Sequence, residues 1–548
     1  MKSFITLLVL VFISTSCAEP PIEKTAQSIT KDSILRHIET LSSDEFEGRG
    51  TGTPGEQKAV EYLVNQLERI GAEPAAEDGS YIQPFPLLGQ VTSNATMRVN
   101  SQNSFSPAYY DDFMAWPANQ STSVNVDEAE LVYVGYGIQA PEESWDDFKE
   151  MDMSGKILVF KNSDPSYAPN LFGGNARLYY GRYTYKYEKA KELGALGALI
   201  IHTTETAGYG WNVVANGWNR ERFYLKSEND SEKGETAFNG WLTYATSKAL
   251  FEQAGLDVDA MLKAADSSDF EPVPLQKVSI DVSMDAEYRE IQSQNIVAKV
   301  EGNDPQLKDE YLQLTAHFDH LGIINTAAEG DSINNGAADN AAGVSALLEM
   351  TKGYKQVQSQ LKRSVLVVLV SAEEVGLLGS QYWAENPTVH PGKVSANINL
   401  DGMNVYGKTK DVVVVGYGRT TLSDLLEETA EEQGRKVVAD PHADRGYFYR
   451  SDHFNMAKIG IPAIFPNPGK EFIDKGENFT ALSDSVADAN YHTVNDEINT
   501  YWDLSGAVID TRLFFKTGYR ALNAEQLQSW KPGDEFEATR LKMLEESQ

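Results

Sequence analysis

The chain has 548 residues, 41% of them in the hydrophobic set and 10% aromatic, and its 80 acidic against 47 basic side chains give a formal net charge of -33. That is ample for a large core and too long for one ordinary domain; a field of this sign repels nucleic acid and anionic membrane surfaces and suits a soluble exported protein. Cys17 is the single cysteine, which excludes a disulfide framework, and the absence of any internal repeat, heptad or long low-complexity tract excludes a repeat scaffold.

Met1 to Ser16 holds one lysine, an apolar run from Phe4 to Ile13, and small residues before Cys17. The run is too short to span a membrane and right for a secretory signal. Cys17 after Ser14-Thr15-Ser16 resembles a bacterial lipoprotein signal, although Ser14 stands where an aliphatic residue is usual. The resemblance implies lipidation of Cys17 as the sole means of membrane attachment, and Ala18 after it favours the outer membrane. The expectation is an exported protein, an outer-membrane lipoprotein or a periplasmic protein, with extracellular secretion as the alternative. Residues 18–30 are polar and Pro-containing and read as a tether.

A helix is predicted from Ser33 to Leu41, then a Gly-rich loop, SSDEFEGRGTGTPG, then a helix from Glu56 to Ile70 with Ala59, Val60, Leu63, Val64 and Leu67 on one stripe. No lysine-serine or lysine-threonine follows the glycines, so the loop is structural rather than phosphate-binding. Composition changes after Trp116: short strands at 131–134, 157–160 and 198–202 surround a helix at 183–193. Tyr209, Trp211, Trp218 and Phe223 read as packing for a long loop, with substrate lining as the alternative. The first sheet resumes near Asn295. The chain therefore divides into a discontinuous catalytic part, 31–117 plus 276–525, with 118–275 inserted.

The chemistry concentrates at strand ends. The run Tyr311 to Ala316 delivers His317 and Asp319; Asp339 follows just before a helix-compatible run from Ala341 to Met350. Leu366 to Val370 ends in Glu373 and Glu374 ahead of a helix-like stretch, 375–384, and Val394 to Leu400 ends in Asp401. Adjacent glutamates straight after a core strand are costly unless something cationic receives them. With His492, in the segment YHTVNDE, two imidazoles and three carboxylates suit two metal ions sharing one carboxylate, and zinc matches that ligand set. A strand at 411–415 and a helix at 421–433 lie between. The last helix is predicted at 504–522, and 526–548 reads as a charged peripheral tail.

The segments AHFDH, GAADN, SAEEVGLLGS, NLDG and YHTVNDE, in this order, resemble the zinc-dependent exopeptidases of the M28 family. The resemblance implies an α/β fold, a mixed-sheet, three-layer α/β/α zinc exopeptidase. It also implies two zinc ions per chain, with His317 and Asp401 on one, Glu374 and His492 on the other, and Asp339 bridging. Glu373 would be the general base acting on a water shared by the two ions, and Asp319 and Asp496 the partners of His317 and His492. Tyr491 would turn its hydroxyl toward the oxyanion, the alternative being a tyrosine packed under the metal loop. The segments LVYVGYG, WDDF, SGKILVF and KAKELGALGALII resemble the mainly-β protease-associated (PA) domain inserted in some such enzymes. It holds none of the expected ligands and would shape or cover the cleft.

The run DPHADRGYFYRSDHFNMAKIGIPAIF, rich in titratable and aromatic side chains, resembles the family's substrate-side segment and supplies Arg445, Arg450 and His453 as substrate-binding candidates; His320 and His442 are further cleft candidates. The expected activity is removal of single apolar or basic residues from peptides with a free N-terminus, since the motif junctions are rich in acids that would seat an ammonium. A carboxypeptidase or dipeptidase of the same fold is the alternative, with Arg445 or Arg450 as carboxylate clamp. A single-zinc glutaminyl cyclase or a non-enzymatic receptor fits less well with an intact ligand set.

Overall fold

The computed structural model describes residues 21–547 apart from 166–170, 175, 219, 227–234, 324–329 and 477. The expected signal and Cys17 lie outside the described residues. Among the described residues no helix is long and apolar enough to cross a membrane.

The strands Tyr311–His317, Ser364–Val370 and Val394–Asn399 are almost wholly buried, as expected of parallel strands covered by helices on both faces. They lie side by side and parallel, the 311–317 strand in the middle. Ala463–Asn467 continues the sheet in parallel; Asp411–Val415 pairs antiparallel beyond it, and Lys436–Ala439 forms the edge. Alternate side chains, Leu312, Leu314, Val365 and Ile398 among them, face a core shared with helices Lys31–Leu41, Pro54–Ile70, Ala342–Gln356, Thr421–Glu432 and Ser505–Asn523. Leu366, Val368 and Val370 face the other way, against Trp383 and Met456 of helices Leu378–Glu385 and His453–Lys458. This is a helix–sheet–helix sandwich. Its register sets His317 opposite Val370 and Thr315 opposite Asn399, so three C-terminal strand ends finish nearly level, where α/β sheets place their ligands.

One strand, Val273–Val300, joins this sheet to the inserted part. Its last residues, 296–300, pair antiparallel with the 364–370 strand, its first half pairs with Ser123–Tyr133, and Ile82–Asn100 runs antiparallel along most of its length. Beyond Ser123–Tyr133 the strands Ile157–Lys161, Gly197–His202 and Phe238–Thr243 follow in parallel. Helices Tyr183–Glu192, Tyr244–Gln253 and Val258–Ala264 accompany them.

Three boundaries differ from expectation. Phe113–Pro117 belongs to the inserted sheet, because it pairs along Phe238–Leu242; the division at 117 therefore cuts through the insertion. Residues 21–30 are not a free tether: Pro21–Gln27 is a helix, Arg512 donates to the carbonyls of Gln27 and Ile29, and Lys516 pairs with Glu23 at 2.6 Å. The C-terminal stretch is not peripheral either. Trp530 is 3% exposed and donates to the Gly460 carbonyl, Phe536 is buried, and Asp534 and Glu535 pair with Arg419. A few aromatic anchors decide this, and the surrounding charge conceals them in a composition reading.

Candidate metal centre

His317 ends the middle strand, fully buried. Its Nδ1 lies 3.2 Å from the Asp319 carbonyl, which orients the ring, and its Nε2 lies 3.2 Å from both Asp339 Oδ1 and Asp401 Oδ1. Asp339 turns its other oxygen to His492 Nε2 at 3.2 Å, and the same nitrogen is 2.9 Å from Glu374 Oε2. The five residues expected as ligands thus converge as two groups joined at Asp339. The arrangement also brings in His320, a cleft candidate that the expected ligand set left out: its Nδ1 is 2.7 Å from Glu374 Oε1, and its Nε2 is enclosed without a hydrogen-bond partner. Its place in AHFDH was the available signal, masked because His317 and Asp319 already accounted for that segment.

The frame is a set of hydrogen bonds to strand ends. Asn340 donates to the carbonyls of His317 and Leu400 and accepts from the amides of Gly343 and Gly402, tying two strand ends to the start of helix Ala342–Gln356. Asp319 accepts from the amides of Glu373 and Glu374 at 3.2 and 3.3 Å, so besides orienting His317 through its carbonyl it fixes the neighbouring strand end. Asp496 differs from expectation: it accepts from the amides of Ala338 and Asp339 at 2.9 and 3.0 Å, and among the described residues no hydrogen bond joins it to His492. It therefore holds the Asp339 loop rather than the imidazole. Ser451 Oγ donates to Asp401 Oδ2 at 2.5 Å and accepts from Asn399 Nδ2. Under the whole sits Arg49, fully buried, donating to the carbonyls of Leu41, Phe318, Asn335 and Gly336. Burial lowers its pKa to about 10 against the opposing pull of Asp496 and Asp319, which leaves it a cation at neutral pH.

Electrostatics show a site that favours positive charge. Burial alone would depress His317, but Glu373 and Asp401 hold its pKa well above the ordinary imidazole value. Burial likewise opposes a charge on His492, yet Asp339 and Glu374 hold it up at about 10. Burial would raise Asp339, and the two imidazoles hold it well below the usual carboxylate range. A cluster so rich in carboxylates demands positive charge between its members. Three overlapping groups, His317/Asp339/Asp401, His317/Glu373/Glu374 and His320/Asp339/Glu374, each bring one ligand atom per residue within 4.8 Å of one another. Imidazole-plus-carboxylate sets of this kind fit zinc.

The Glu373 carboxylate makes no hydrogen bond or ion pair with another described side chain; its backbone amide is engaged by Asp319. The helix expected from Val375 starts at Leu378, so Glu373 is too far out to serve as an acid of its first turn. Burial, then the negative charges of Asp401, Asp452 and Glu374, raise its affinity for a proton against the opposing effect of His317. It stands between two cavities. One, of about 290 Å³, is lined by His317, Asp401, Met403, Val405, Tyr406 and Trp502; the other, of about 320 Å³, by Glu374, His492, Arg182, Arg222, Arg450 and Lys458. Tyr491 is 61% exposed, stacks on the His492 ring with centroids 3.8 Å apart, and borders both. It is therefore not packed under the metal loop.

Of the substrate-binding candidates only Arg450 borders these cavities. Arg445 is exposed on a neighbouring depression with Tyr447, away from Glu373. His453 is corrected outright: it is 0% exposed, its ring packed on Phe448 and Phe465, and both nitrogens lack partners. It opens a helix whose inner face enters the core, so no substrate reaches it.

Sheet, strand-end carboxylates and imidazoles together define a site of metallohydrolase type. Residues 295–515 match peptidase family M28, and the chain carries a domain of that family. Similar curated proteins include the "probable leucine aminopeptidase 2" of Aspergillus oryzae, 25% identical over 232 residues, 40% of this chain and 43% of that protein. Another is the "leupeptin-inactivating enzyme 1" of Streptomyces exfoliatus, 24% identical over 213 residues, 38% of this chain and 44% of that protein. The chain thus matches less than half the length of these relatives. Among solved structures, an aminopeptidase from Aneurinibacillus sp. strain AM-1 aligns over 91% of this chain and 96% of its own, at 19% identity and a TM-score of 0.49.

Proposed function

We propose that this protein is a zinc-dependent aminopeptidase that releases single N-terminal residues from peptides. What carries the reading is Asp339, whose two oxygens address two different groups, His317 with Asp401 and His492 with Glu374. One carboxylate serving two such groups suits a pair of ions, His317 and Asp401 holding one, Glu374 and His492 the other, with His320 fixing the Glu374 carboxylate. Zinc at these positions would supply Lewis-acid polarisation of the scissile carbonyl and acidify water.

The remaining chemistry belongs to the chain. The Glu373 carboxylate, uncommitted to any other described side chain and with a raised proton affinity, takes a proton from the attacking water and returns it to the leaving amine. Asp319 holds the backbone of Glu373 through its amide, which keeps that carboxylate facing both cavities. Tyr491 brings a hydroxyl to the border of the two cavities, placed to donate to the developing oxyanion. The side chain of the removed residue enters the cavity walled by Met403, Val405, Tyr406 and Trp502, which favours an apolar residue over a basic one. Asp401 at its mouth complements the free ammonium.

Two measurements test the reading. Purified protein is expected to hold close to two zinc ions per chain, to lose activity to a strong chelator and to regain it with zinc. A peptide with a free N-terminus is expected to be cut and its N-acetylated twin spared. Equal cleavage of both, or product released from the C-terminal end, would replace this reading with a carboxypeptidase one.

A further inference from the structure

The second cavity beside Glu373 has a character that a chain of net charge -33 does not lead one to expect. Arg182 and Arg222 reach it from the inserted part, Arg450 and Lys458 from the M28 domain, opposite Glu374 and His492. Lys458 is answered by Glu188 at 2.7 Å. The arginines are not. Arg182 is half-buried, its Nε enclosed without a hydrogen-bond partner, and its guanidinium rests 5.6 Å from the Tyr183 ring. Arg450 lies over Tyr447 at 5.3 Å and Arg222 over Trp218 at 4.8 Å. Among the described residues none of the three has a carboxylate within ion-pair distance. Most enclosed arginines elsewhere meet carbonyls or carboxylates, Arg49 four carbonyls, Arg363 Glu310, Arg419 Asp534 and Glu535, Arg435 Asp510; Arg540, with one long bond to the Pro391 carbonyl, is the exception, and it lies in the core away from any cleft.

For Arg182 a planar guanidinium partly withdrawn from water and left unpaired is costly; Arg450 is exposed at the rim, and the fork of donors on each fits a carboxylate bidentately. Burial, with Arg450 and Arg177 nearby, already depresses the Arg182 pKa; an arriving anion would reverse both effects. The two cavities also assign direction. A scissile carbonyl must lie beside Glu373, so the parts of the substrate on its two sides diverge into them. Arg450 borders both cavities, so the difference between them lies in Arg182, which borders only the second and repels an ammonium, and in Asp401, which borders the first and attracts one. The N-terminal residue therefore takes the apolar cavity, and the residue after the cut lies along the arginines.

Resting on the aminopeptidase reading, we propose that Arg182 and Arg450 form a carboxylate-binding subsite for the residue that follows the scissile bond. Preferred substrates are then peptides with an apolar N-terminal residue followed by a carboxylate. That group is either the free C-terminus of a dipeptide or the side chain of aspartate or glutamate in a longer peptide. The inserted part contributes a substrate contact, and its Arg182 completes a subsite that the M28 domain alone only half provides.

The test compares kcat/KM of the zinc-loaded full chain for Leu-Ala, Leu-Ala-amide, Leu-Glu-amide and Leu-Gln-amide. A preference of about tenfold or more is expected for Leu-Ala over its amide if the terminal carboxylate is read, and for Leu-Glu-amide over Leu-Gln-amide if the side chain is. Arg182→Met and Arg450→Met should each pull that ratio toward one, through KM more than kcat, and Arg182→Lys should keep part of it. Lys248→Gln removes a cation from an exposed helix of the insertion and should leave the ratio unchanged, which separates a local subsite from the overall field. Should Arg182→Met fail to fold, the wild-type ratios and Arg450→Met still decide. Equal rates on all four peptides, or ratios untouched by both arginine variants, overturn the subsite. Absence of leucine release from every peptide overturns the aminopeptidase reading itself, and the subsite with it.

Discussion

The floor and the wall of the cleft are built on opposite principles. The floor, at the ends of the 311–317, 364–370 and 394–399 strands, concentrates negative charge inside a closed hydrogen-bond frame in which Asn340, Asp319, Asp496, Ser451 and Arg49 leave few backbone groups unanswered. The wall, contributed by the 440–458 segment and the insertion, concentrates positive charge of which only Lys458 is paired, with Glu188, among the described residues. Internal satisfaction fixes geometry, whereas a group left unsatisfied awaits a ligand. On that contrast the floor is expected to be intolerant of change in rate and stability, and the wall to respond mainly in selectivity.

The largest effect is expected at the one floor carboxylate outside the frame. Glu373→Gln keeps the shape and removes the proton carrier, and its rate should fall roughly 10²- to 10⁴-fold with metal content near wild type. Elemental analysis beside steady-state kinetics checks this; zinc lost together with activity would make Glu373 a ligand and break the division between frame and free group. Next comes Arg49→Met, which strands four buried carbonyls and removes a cation from beneath Asp339 and Asp496. A loss of about 3–5 kcal/mol in chemical denaturation is expected, with weakened zinc retention, and a loss under 1 kcal/mol would show that the frame does not depend on it.

How much of this was legible in the sequence divides along the same line. Buried parallel strands announce themselves as unbroken apolar runs, so the three strands and the carboxylates that end them could be placed within a residue or two. The long Val273–Val300 strand was not placed as one element: Val278, Ile280, Val282, Met284 and Ala286 alternate as a half-buried strand should, but the polar, largely open stretch 287–292 separates them from the apolar end at 296–300. His317, Glu374 and Asp401 could be brought together from sequence because they follow three successive core strands, whereas Asp339, just before a helix, and His492, just after one, owe their place beside them to contacts the strand pattern does not show. Arg49 and Asn340 were not readable in their roles, since the arginine's carbonyl partner Gly336 lies 287 residues away and the asparagine's, His317 and Leu400, lie 23 and 60 residues away on two different strands. Arg182 sits in a segment whose local pattern gives no hint that it faces a site made some 200 residues later. His453 shows the converse error: a run rich in titratable residues suggested the cleft, while the helix phase turned that histidine into the core.

His453 gives the third prediction, a contrast in pH behaviour between core and cleft. Its burial, helped by Arg419, lowers its pKa from the ordinary 6.5 to about 3. As pH falls the unfolded chain takes up this proton before the folded one, so its contribution is full above about pH 6.5 and is lost progressively down to about pH 3. At pH 5 the penalty is roughly 2 kcal/mol. His453→Leu fills the same aromatic surroundings without a proton site, so its stability relative to wild type should improve steadily from pH 7 to pH 4. A difference between the two proteins that does not change with pH would place the imidazole in contact with water.

The smallest effect expected is at Ser451, and it asks whether the frame acts by positioning alone. Its hydroxyl donates to Asp401 Oδ2 while accepting from Asn399, so it fixes the rotation of the carboxylate whose Oδ1 faces His317. Ser451→Ala leaves charge and volume almost unchanged and removes one hydrogen bond to an ionised group, a contribution of about 1.5–3 kcal/mol when fully expressed. Asp401 is partly open to the cavity and water can replace the lost donor, so the cost should fall at or below the lower bound. The expectation is a roughly three- to tenfold weaker hold on one equivalent of zinc, read by competition with a chromogenic chelator, with the second equivalent unaffected. The site-by-site readout is what matters: Asn399 and Ser451 touch the Asp401 side only, and His320 the Glu374 side only. If both equivalents weaken together, the two groups that share Asp339 are coupled more tightly than their separate supports imply, and the frame must be treated as one unit.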